Sequence, residues 1–133
     1  MIRLLDTNAC IQLWQRKNQK VRERFKRFSP GEIALCSVVK AELLFGARKS
    51  SYVEANLELL EKLFAPLGSY DFDDKAAIQY GKVRAELSVA GMLIGANDLL
   101  IASIALANGL TLVTNNIDEF SRVDGLALED WEA

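Results

Sequence analysis

The sequence of 133 residues contains no histidine and only two cysteines, Cys10 and Cys36. Without histidine, imidazole can act neither as a general base nor as a metal ligand. The two cysteines lie in apolar contexts and form no CxxC pair, so neither a zinc site nor a disulfide framework is supported. We expect both to be reduced core residues, and any metal site must be built from oxygen ligands.

Long hydrophobic runs and linker-like segments are also missing. Charge or glycine interrupts every apolar stretch well before the roughly 20 residues that span a bilayer, so we expect no membrane segment and a cytoplasmic protein. The only prolines lie in short turn sequences at 30–31 and 66–68, and no repeat divides the chain. We therefore predict one domain over residues 1–133.

Charge is distributed unevenly, although the formal net charge is only −2. Residues 1–50 contain 11 Lys/Arg against 4 Asp/Glu, whereas residues 51–133 contain 5 against 14. Within residues 16–27, seven basic residues against one acid give a local charge of +6. This segment is either a solvated helix face or a surface for a phosphate backbone or an acidic partner, and the sequence leaves both open.

Apolar strands alternate with helical segments along the chain. Short strands are predicted at residues 2–5, 32–36, 70–72 and 110–114. Helices are predicted at residues 6–16, 19–28, 38–47, 52–64, 73–89 and 98–108, with Ser37 and Asn97 as N-caps of the third and sixth. This alternation predicts an α/β fold with a central, mostly parallel β-sheet of four to five strands and helices on both faces.

Three acids occupy positions that an apolar segment would give to hydrophobic residues. Asp6 closes the first strand, and Asp98 opens an almost wholly apolar helix. Glu42 falls on an apolar helical stripe with positions 38, 41 and 45, which predicts a buried carboxylate. An ionised buried carboxylate needs a cation or several donors, so these acids are candidate ligands of Mg²⁺ or Mn²⁺. Helix capping by the aspartates and pairing of Glu42 with a basic residue are the alternatives.

Four motifs follow one another along the chain, and a fifth segment, GLALEDW at 125–131, comes after them. The motifs are LDTN at 5–8, AELLFGA at 41–47, IGANDLLIA at 94–102, and VTNN at 113–116 with Glu119-Phe120. In this order and spacing the chain resembles the PIN-domain ribonucleases, and more narrowly the VapC toxins of bacterial VapBC toxin-antitoxin systems. The resemblance runs nearly end to end and implies a PIN-like fold.

The resemblance implies metal-dependent endonucleolytic cleavage of RNA, with tRNA among the substrates of some relatives. It assigns Asp6, Glu42 and Asp98 as catalytic ligands of Mg²⁺, with Mn²⁺ as a substitute. The fourth position is open, because Asn116 stands where some relatives carry aspartate and Glu119 stands where others are acidic. Glu119 could approach the metal through water, Asn116 could hold that water, and Thr114 could orient a neighbouring carboxylate. With no histidine present, hydrolysis would use metal-activated water.

The same resemblance implies several partners. A VapB-type antitoxin would lay its tail across the acidic pocket, and the toxin would form a homodimer and a higher toxin-antitoxin assembly. Operator DNA would be contacted only through the antitoxin. The basic segment then has two interpretations, in which Arg22, Arg24 and Arg27 contact either RNA phosphates or the antitoxin.

Two other functions compete with this one. A catalytically degenerate PIN domain would bind RNA or a partner protein without cleaving, and the non-acidic Asn116 favours it. A haloacid-dehalogenase-like phosphatase also begins with an aspartate at a strand end. That class requires another aspartate two residues later, where this chain has Asn8.

Overall fold

The computed structural model describes all 133 residues and contains one five-stranded sheet. The strands are β1 (Arg3–Leu5), β2 (Ile33–Cys36), β3 (Gly68–Tyr70), β4 (Thr111–Val113) and β5 (Ala127–Glu129). All four strand pairings are parallel, which confirms the predicted α/β fold. The sequence prediction placed β3 two residues too late, at 70–72, and missed β5.

The strand order β3-β2-β1-β4-β5 places β1 at the centre of the sheet. Leu4 and Leu5 of β1 are completely buried, as expected for a strand covered on both faces. The chain first adds β2 and β3 on one side of β1 and then returns to add β4 and β5 on the other. The order reverses between β1 and β4, and the crevice outside the carboxyl ends of two such strands is the usual ligand site of an open parallel sheet.

Seven α-helices flank the sheet: α1 (Thr7–Trp14), α2 (Gln19–Lys26), α3 (Ser37–Lys49), α4 (Val53–Phe64), α5 (Asp74–Val89), α6 (Ala96–Asn108) and α7 (Ile117–Phe120). Asp6 caps α1 and Asp73 caps α5, each by accepting a hydrogen bond from the backbone N–H three residues later. The predicted caps Ser37 and Asn97 are wrong, because both residues lie inside their helices. The N-caps of α3 and α6 are Cys36 and Gly95.

The buried face of α3 differs from the predicted one. Val39, Leu43 and Ala47 are at most 1% exposed, whereas Phe45 is 66% exposed. The prediction that Glu42 lies on a buried apolar stripe is therefore wrong, because the buried stripe runs one position further along the helix. Glu42 is half-buried at the edge of that face.

Helix α6 is buried along most of its length, as its apolar sequence predicts, with residues 101–105 fully buried. The Ser103 hydroxyl donates a hydrogen bond to the Leu99 carbonyl at 2.7 Å, so this polar group is satisfied. Cys10 and Cys36 are buried and free, which confirms the expectation for both. No helix combines the length and the apolar character that crossing a membrane requires.

A cluster of charged and aromatic side chains ties β5 to the start of β1 and to α2. Glu129 accepts hydrogen bonds from Arg3 at 3.0 Å, from Arg24 at 3.0 Å and from the Trp131 indole at 2.6 Å. The buried Trp131 ring stacks on Phe28 with centroids 5.6 Å apart, and the Arg3 guanidinium lies 4.3 Å from the Phe28 ring centroid. We call these five residues the Glu129 cluster; its charge-assisted and aromatic contacts fix the segment after β5 against α2.

Candidate active site

An open pocket of about 520 Å³ lies at the carboxyl ends of β1 and β4. Asp6 directly follows β1, and Asp98 reaches the same pocket from the first turn of α6. The wall consists of Asp6, Thr7, Asn8, Ile11, Asp98, Asn115, Asn116 and Phe120. Two of the three predicted acids and Asn116 of the predicted fourth position thus line one pocket, and no lysine or arginine is among the lining residues.

Asp6 is 6% exposed and acts as a helix cap and a pocket residue at once. Its Oδ1 accepts a hydrogen bond from the Ala9 N–H at 2.8 Å, which orients the carboxylate. Burial raises the pKa of Asp6 to about 6, against the lowering effect of hydrogen bonds from the Thr114 hydroxyl and Ala9, and the charges of Glu132 and Glu42 raise it further. The buried Thr114 therefore contacts the carboxylate that the sequence suggested it could orient.

Asp98 is half-buried and faces other acids rather than a basic partner. Burial raises the pKa of Asp98 to about 7, and the neighbouring Glu119, followed by the charges of Asp6 and Glu42, adds to this increase. The Asp98 and Glu119 carboxylates lie close together beside Gly95, with no basic side chain between them. This contact brings Glu119, a predicted fourth-position residue, to the acidic site.

Glu119 is held by two donors from different parts of the chain. Its Oε1 accepts the Gly95 N–H at 2.6 Å, at the start of α6, and its Oε2 accepts a short hydrogen bond from the Asn116 side chain. A Cβ atom on Gly95 would lie 3.5 Å from carboxylate oxygens of both Asp98 and Glu119, which is ordinary contact distance. Asn116 therefore positions Glu119, and Glu119 joins α7 to the first turn of α6.

Glu42 approaches from the neighbouring side of the site. Its Oε1 accepts a hydrogen bond from the Thr7 hydroxyl at 2.8 Å, and its charge acts on Asp6 and Asp98. It lines an adjoining open groove of about 460 Å³ between α3 and α6, together with Phe45. The groove and the acidic pocket are thus linked through the Thr7–Glu42 contact.

The donor chemistry of the site fits a hard divalent cation. All the acidic and polar groups present carboxylate, hydroxyl or amide oxygens, which suit Mg²⁺, Mn²⁺ or Ca²⁺ better than zinc or copper. As they stand, no three of the acidic side chains form a group that could hold one ion. A cation between them would offset the mutual repulsion of these carboxylates, which adds to the effect of burial in raising the pKa of Asp98.

The three arginines singled out in the sequence have different surroundings. Arg24 is paired with Glu129, so its charge is used within the fold. Arg22 is half-buried, and its Nε is buried without an acceptor. Arg27 is exposed at the end of α2 and forms no salt bridge. The structure thus separates one structural arginine from one that is free to meet a partner.

Several polar residues at the site carried no assigned role in the sequence prediction. Thr7 holds Glu42, Asn8 lines the pocket next to Asp6, and Asn115 and Glu132 both accept hydrogen bonds from Asn8. The first two lie within the LDTN motif, which was the only available signal for them. Glu132 gave no signal, because nothing in its local sequence indicates that it folds back onto α1.

Comparisons with known proteins agree with this arrangement. The PIN domain family matches residues 3–126. The tRNA(fMet)-specific endonucleases VapC of Shigella flexneri and Salmonella typhimurium are 43% and 41% identical to this chain over 128 residues, which is 96% of each chain. The structure of VapBC2 from Rickettsia felis bound to a DNA fragment from their promoter superimposes with a TM-score of 0.91 and 40% identity, covering 98% of this chain and 99% of that chain.

A match that includes every strand but β5 and all four motifs establishes the class: this is a PIN domain, and PIN-domain ribonucleases in general depend on divalent metal ions. Identity above 40% over nearly the full length narrows the assignment further. The chain belongs to the VapC ribonucleases, the toxins of VapBC toxin-antitoxin systems. The resemblance found in the sequence is confirmed.

Proposed function

We propose that this chain is a Mg²⁺-dependent endoribonuclease toxin that hydrolyses phosphodiester bonds of tRNA in the cytoplasm, with Mn²⁺ as a substitute metal. The observation that carries the proposal is the pocket lined by Asp6 and Asp98, with Glu119 next to Asp98 and no lysine or arginine in the wall. The similarity to two tRNA(fMet)-specific endonucleases supports the substrate class. The proposal treats residues 1–133 as one PIN domain.

Asp6, Glu42 and Asp98 are the proposed catalytic metal ligands. Asp6 is oriented by Ala9 and Glu42 by Thr7, so both carboxylates are held in place before an ion arrives. When bound, Mg²⁺ supplies a water molecule of lowered pKa and neutralises charge on the scissile phosphate.

The fourth position is assigned to Glu119, with Asn116 and Thr114 in supporting roles. Asn116 and the Gly95 N–H fix the two oxygens of Glu119, and Thr114 contacts Asp6 while its Oγ1 accepts the Asn116 N–H at 3.0 Å. The lack of an acid at position 116 is thus compensated three residues later. This arrangement supports the cleaving enzyme over the degenerate binding domain.

The partner proposed for this chain is a VapB-type antitoxin that covers the acidic pocket. The similarity to the toxin of the Rickettsia felis VapBC2 complex, solved on promoter DNA, supports both the antitoxin and an operator contact made through it. We also propose a toxin homodimer within that assembly. Of the three arginines predicted to contact RNA or antitoxin, Arg27 is the one proposed to make such a contact. Arg24 is paired with Glu129, and Arg22 is half-buried.

The proposal is tested by cleavage of an initiator tRNA transcript with the purified chain, in Mg²⁺ and in EDTA. Asp98→Asn should lower cleavage at least about 100-fold, because one of the carboxylates that directly bind the metal ion is lost. Asp74→Asn is the matched control, since Asp74 also lies in the first turn of a helix but on the exposed start of α5. It should cleave like the wild type.

Calorimetric titration with Mn²⁺ provides a second measurement that does not depend on activity. Wild type should bind the ion at neutral pH and Asp98→Asn should bind it at least about tenfold more weakly. Wild-type cleavage by Asp98→Asn would rule out the ligand assignment. No Mn²⁺ uptake and no cleavage by the wild-type chain would favour the degenerate domain that only binds RNA or a protein.

A further inference from the structure

Asn8 lies in the wall of the acidic pocket, and its amide nitrogen is fully engaged. Nδ2 donates to Asn115 Oδ1 at 3.2 Å and to Glu132 Oε2 at 3.3 Å. A side-chain amide carries two N–H donors, so both are used. The only hydrogen-bonding group of this side chain without a protein partner is Oδ1.

Glu132 determines which way round the Asn8 amide stands. An ionised carboxylate only accepts hydrogen bonds, so it selects Nδ2 as the neighbouring atom and repels Oδ1. Asn115 could not make this choice, because its own amide can present either a donor or an acceptor. The orientation of Asn8 therefore depends on the carboxylate.

Glu132 is itself fixed from a second side. Its Oε1 accepts the Asn18 Nδ2 at 3.2 Å, and Asn18 uses its Oδ1 to cap α2 through the Val21 N–H. The Glu132 N–H donates to Asp130 Oδ1 at 2.8 Å. Trp131, between Asp130 and Glu132, is buried and stacks on Phe28 in the Glu129 cluster, so the backbone that carries Glu132 is held against the core.

We propose that Glu132 is a positioning residue that holds Asn8 with its Oδ1 available as an acceptor for a hydrogen-bond donor of the RNA, either a ribose 2′-hydroxyl or a base N–H. A phosphate oxygen carries no proton to donate and would meet the negative charge of Glu132, so the phosphate backbone is not the partner of this group. The inference rests on the proposed ribonuclease function and adds a point of substrate recognition beside the metal ligands.

The test measures RNA binding separately from cleavage. In the inactive Asp98→Asn background, fluorescence anisotropy gives the affinity for a labelled initiator tRNA transcript. Asn8→Ala and Glu132→Ala should each weaken binding about 5- to 10-fold, and the double variant should be no weaker than either single one, because the two residues act as one unit. Glu132→Gln keeps the shape of the side chain but presents an amide that can turn either way, so it should weaken binding about as much as Glu132→Ala does.

Glu23→Ala is the matched control. Glu23 and Glu132 line the same open cleft beside Lys17 and Lys20, so Glu23→Ala removes the same charge from this cleft, but Glu23 makes no contact with Asn8. It should bind within about twofold of the parent. Additive losses in the double variant, or an effect of Glu132→Ala no larger than that of the control, would overturn the proposal. If Glu132 only stabilised the fold, Glu132→Ala would lower the thermal midpoint and Asn8→Ala would leave RNA binding unchanged. That result would also overturn the proposal.

A DNA of the same sequence identifies the source of the donor. If only tRNA binding is weakened by Glu132→Ala, the donor is the ribose 2′-hydroxyl; if both nucleic acids lose affinity, it is a base N–H. The result is distinguishable from failure of the ribonuclease proposal. That failure would appear as absent cleavage by the wild-type chain in Mg²⁺, while the binding measurements would still decide the role of Glu132.

Discussion

Strand β1 begins with Arg3 and is followed by Asp6, and these two residues lie in opposite electrostatic environments. Arg3 enters the Glu129 cluster, where partial burial acts to raise the pKa of Glu129 but the Trp131 indole, Arg3 and Arg24 together hold it below its usual value. Asp6 enters the pocket, where burial and neighbouring acids raise its pKa to about 6. One end of a three-residue strand thus has its charge satisfied, and the other does not.

The Glu129 cluster contains residues whose charges stabilise the fold, whereas the pocket contains acids whose burial lowers the free energy of unfolding. A carboxylate whose pKa is lowered favours the folded state, whereas one whose pKa is raised by burial disfavours it at neutral pH. Acids are retained in the second situation where a ligand or a reaction needs them. The comparison therefore predicts that substitutions in the two regions affect stability and activity in opposite ways.

Asp6→Asn should give the largest effect on activity and should not destabilise the protein. Cleavage should fall at least about 1000-fold, or ~4 kcal/mol in transition-state stabilisation, because a metal ligand is lost. The free energy of unfolding should stay equal or rise, since asparagine caps a helix as well as aspartate does and the unfavourable burial of the charge, together with its repulsion by Glu132 and Glu42, is removed. Cleavage assays and urea unfolding of one preparation measure both quantities.

Asp73→Asn is the matched control for this substitution. Asp73 caps α5 with the same geometry, through the Ala76 N–H at 3.0 Å, but lies outside the pocket. It should leave both cleavage and stability near wild type. A loss of stability in Asp6→Asn much larger than in Asp73→Asn would mean that Asp6 is structural, and the contrast between the two regions would fail.

Glu129→Gln should show the reverse pattern. Removing the charge leaves Arg3 and Arg24 without their partner, so the free energy of unfolding should fall by about 1–2 kcal/mol, a value reduced by the partial exposure of the pair. Cleavage measured well below the unfolding temperature should remain within about threefold of wild type. Glu58→Gln, on the exposed face of α4, is the control and should change neither quantity.

The stability difference between wild type and Glu129→Gln should depend on pH with a defined sign. Because the folded pKa of Glu129 is lowered, its stabilisation is complete above the usual glutamate pKa of about 4.3 and is lost as the pH falls through the folded value. Unfolding curves should therefore differ at neutral pH and converge in acid. A difference that stays constant into acid would show that the charge of Glu129 is not the stabilising feature.

What the sequence could predict follows the range of the interactions concerned. The strand-helix alternation, the strand-end position of Asp6 and the burial of α6 depend on local pattern, and each was predicted. Strand β5 was missed because Ala127 to Glu129 has neither length nor β-branched residues, and it forms by pairing with β4.

The errors within the site concern packing and long-range contacts that the neighbouring residues in the sequence do not determine. Asn97 is a good cap by residue type, but the Gly95 N–H is already satisfied by Glu119, 24 residues away, so the helix begins earlier. Glu42 was placed on a buried face because a shift of one residue in the helical stripe cannot be seen in its sequence. Glu132 reaches Asn8 across 124 positions, and no local pattern predicts such a contact.

The smallest predicted effects concern the arginines of α2, which extend the comparison to nucleic-acid binding. Arg27 is exposed and unpaired, so Arg27→Gln should weaken tRNA binding about two- to threefold and reduce the slope of log affinity against log salt by about 0.7, as expected for one lost phosphate contact. Arg24→Gln should instead lower the free energy of unfolding by about 1 kcal/mol, because Glu129 loses a partner, with little change in the salt slope. Anisotropy titrations at several salt concentrations distinguish the two. An unchanged slope for Arg27→Gln, together with weaker binding of the antitoxin, would assign this helix to the protein partner instead of RNA.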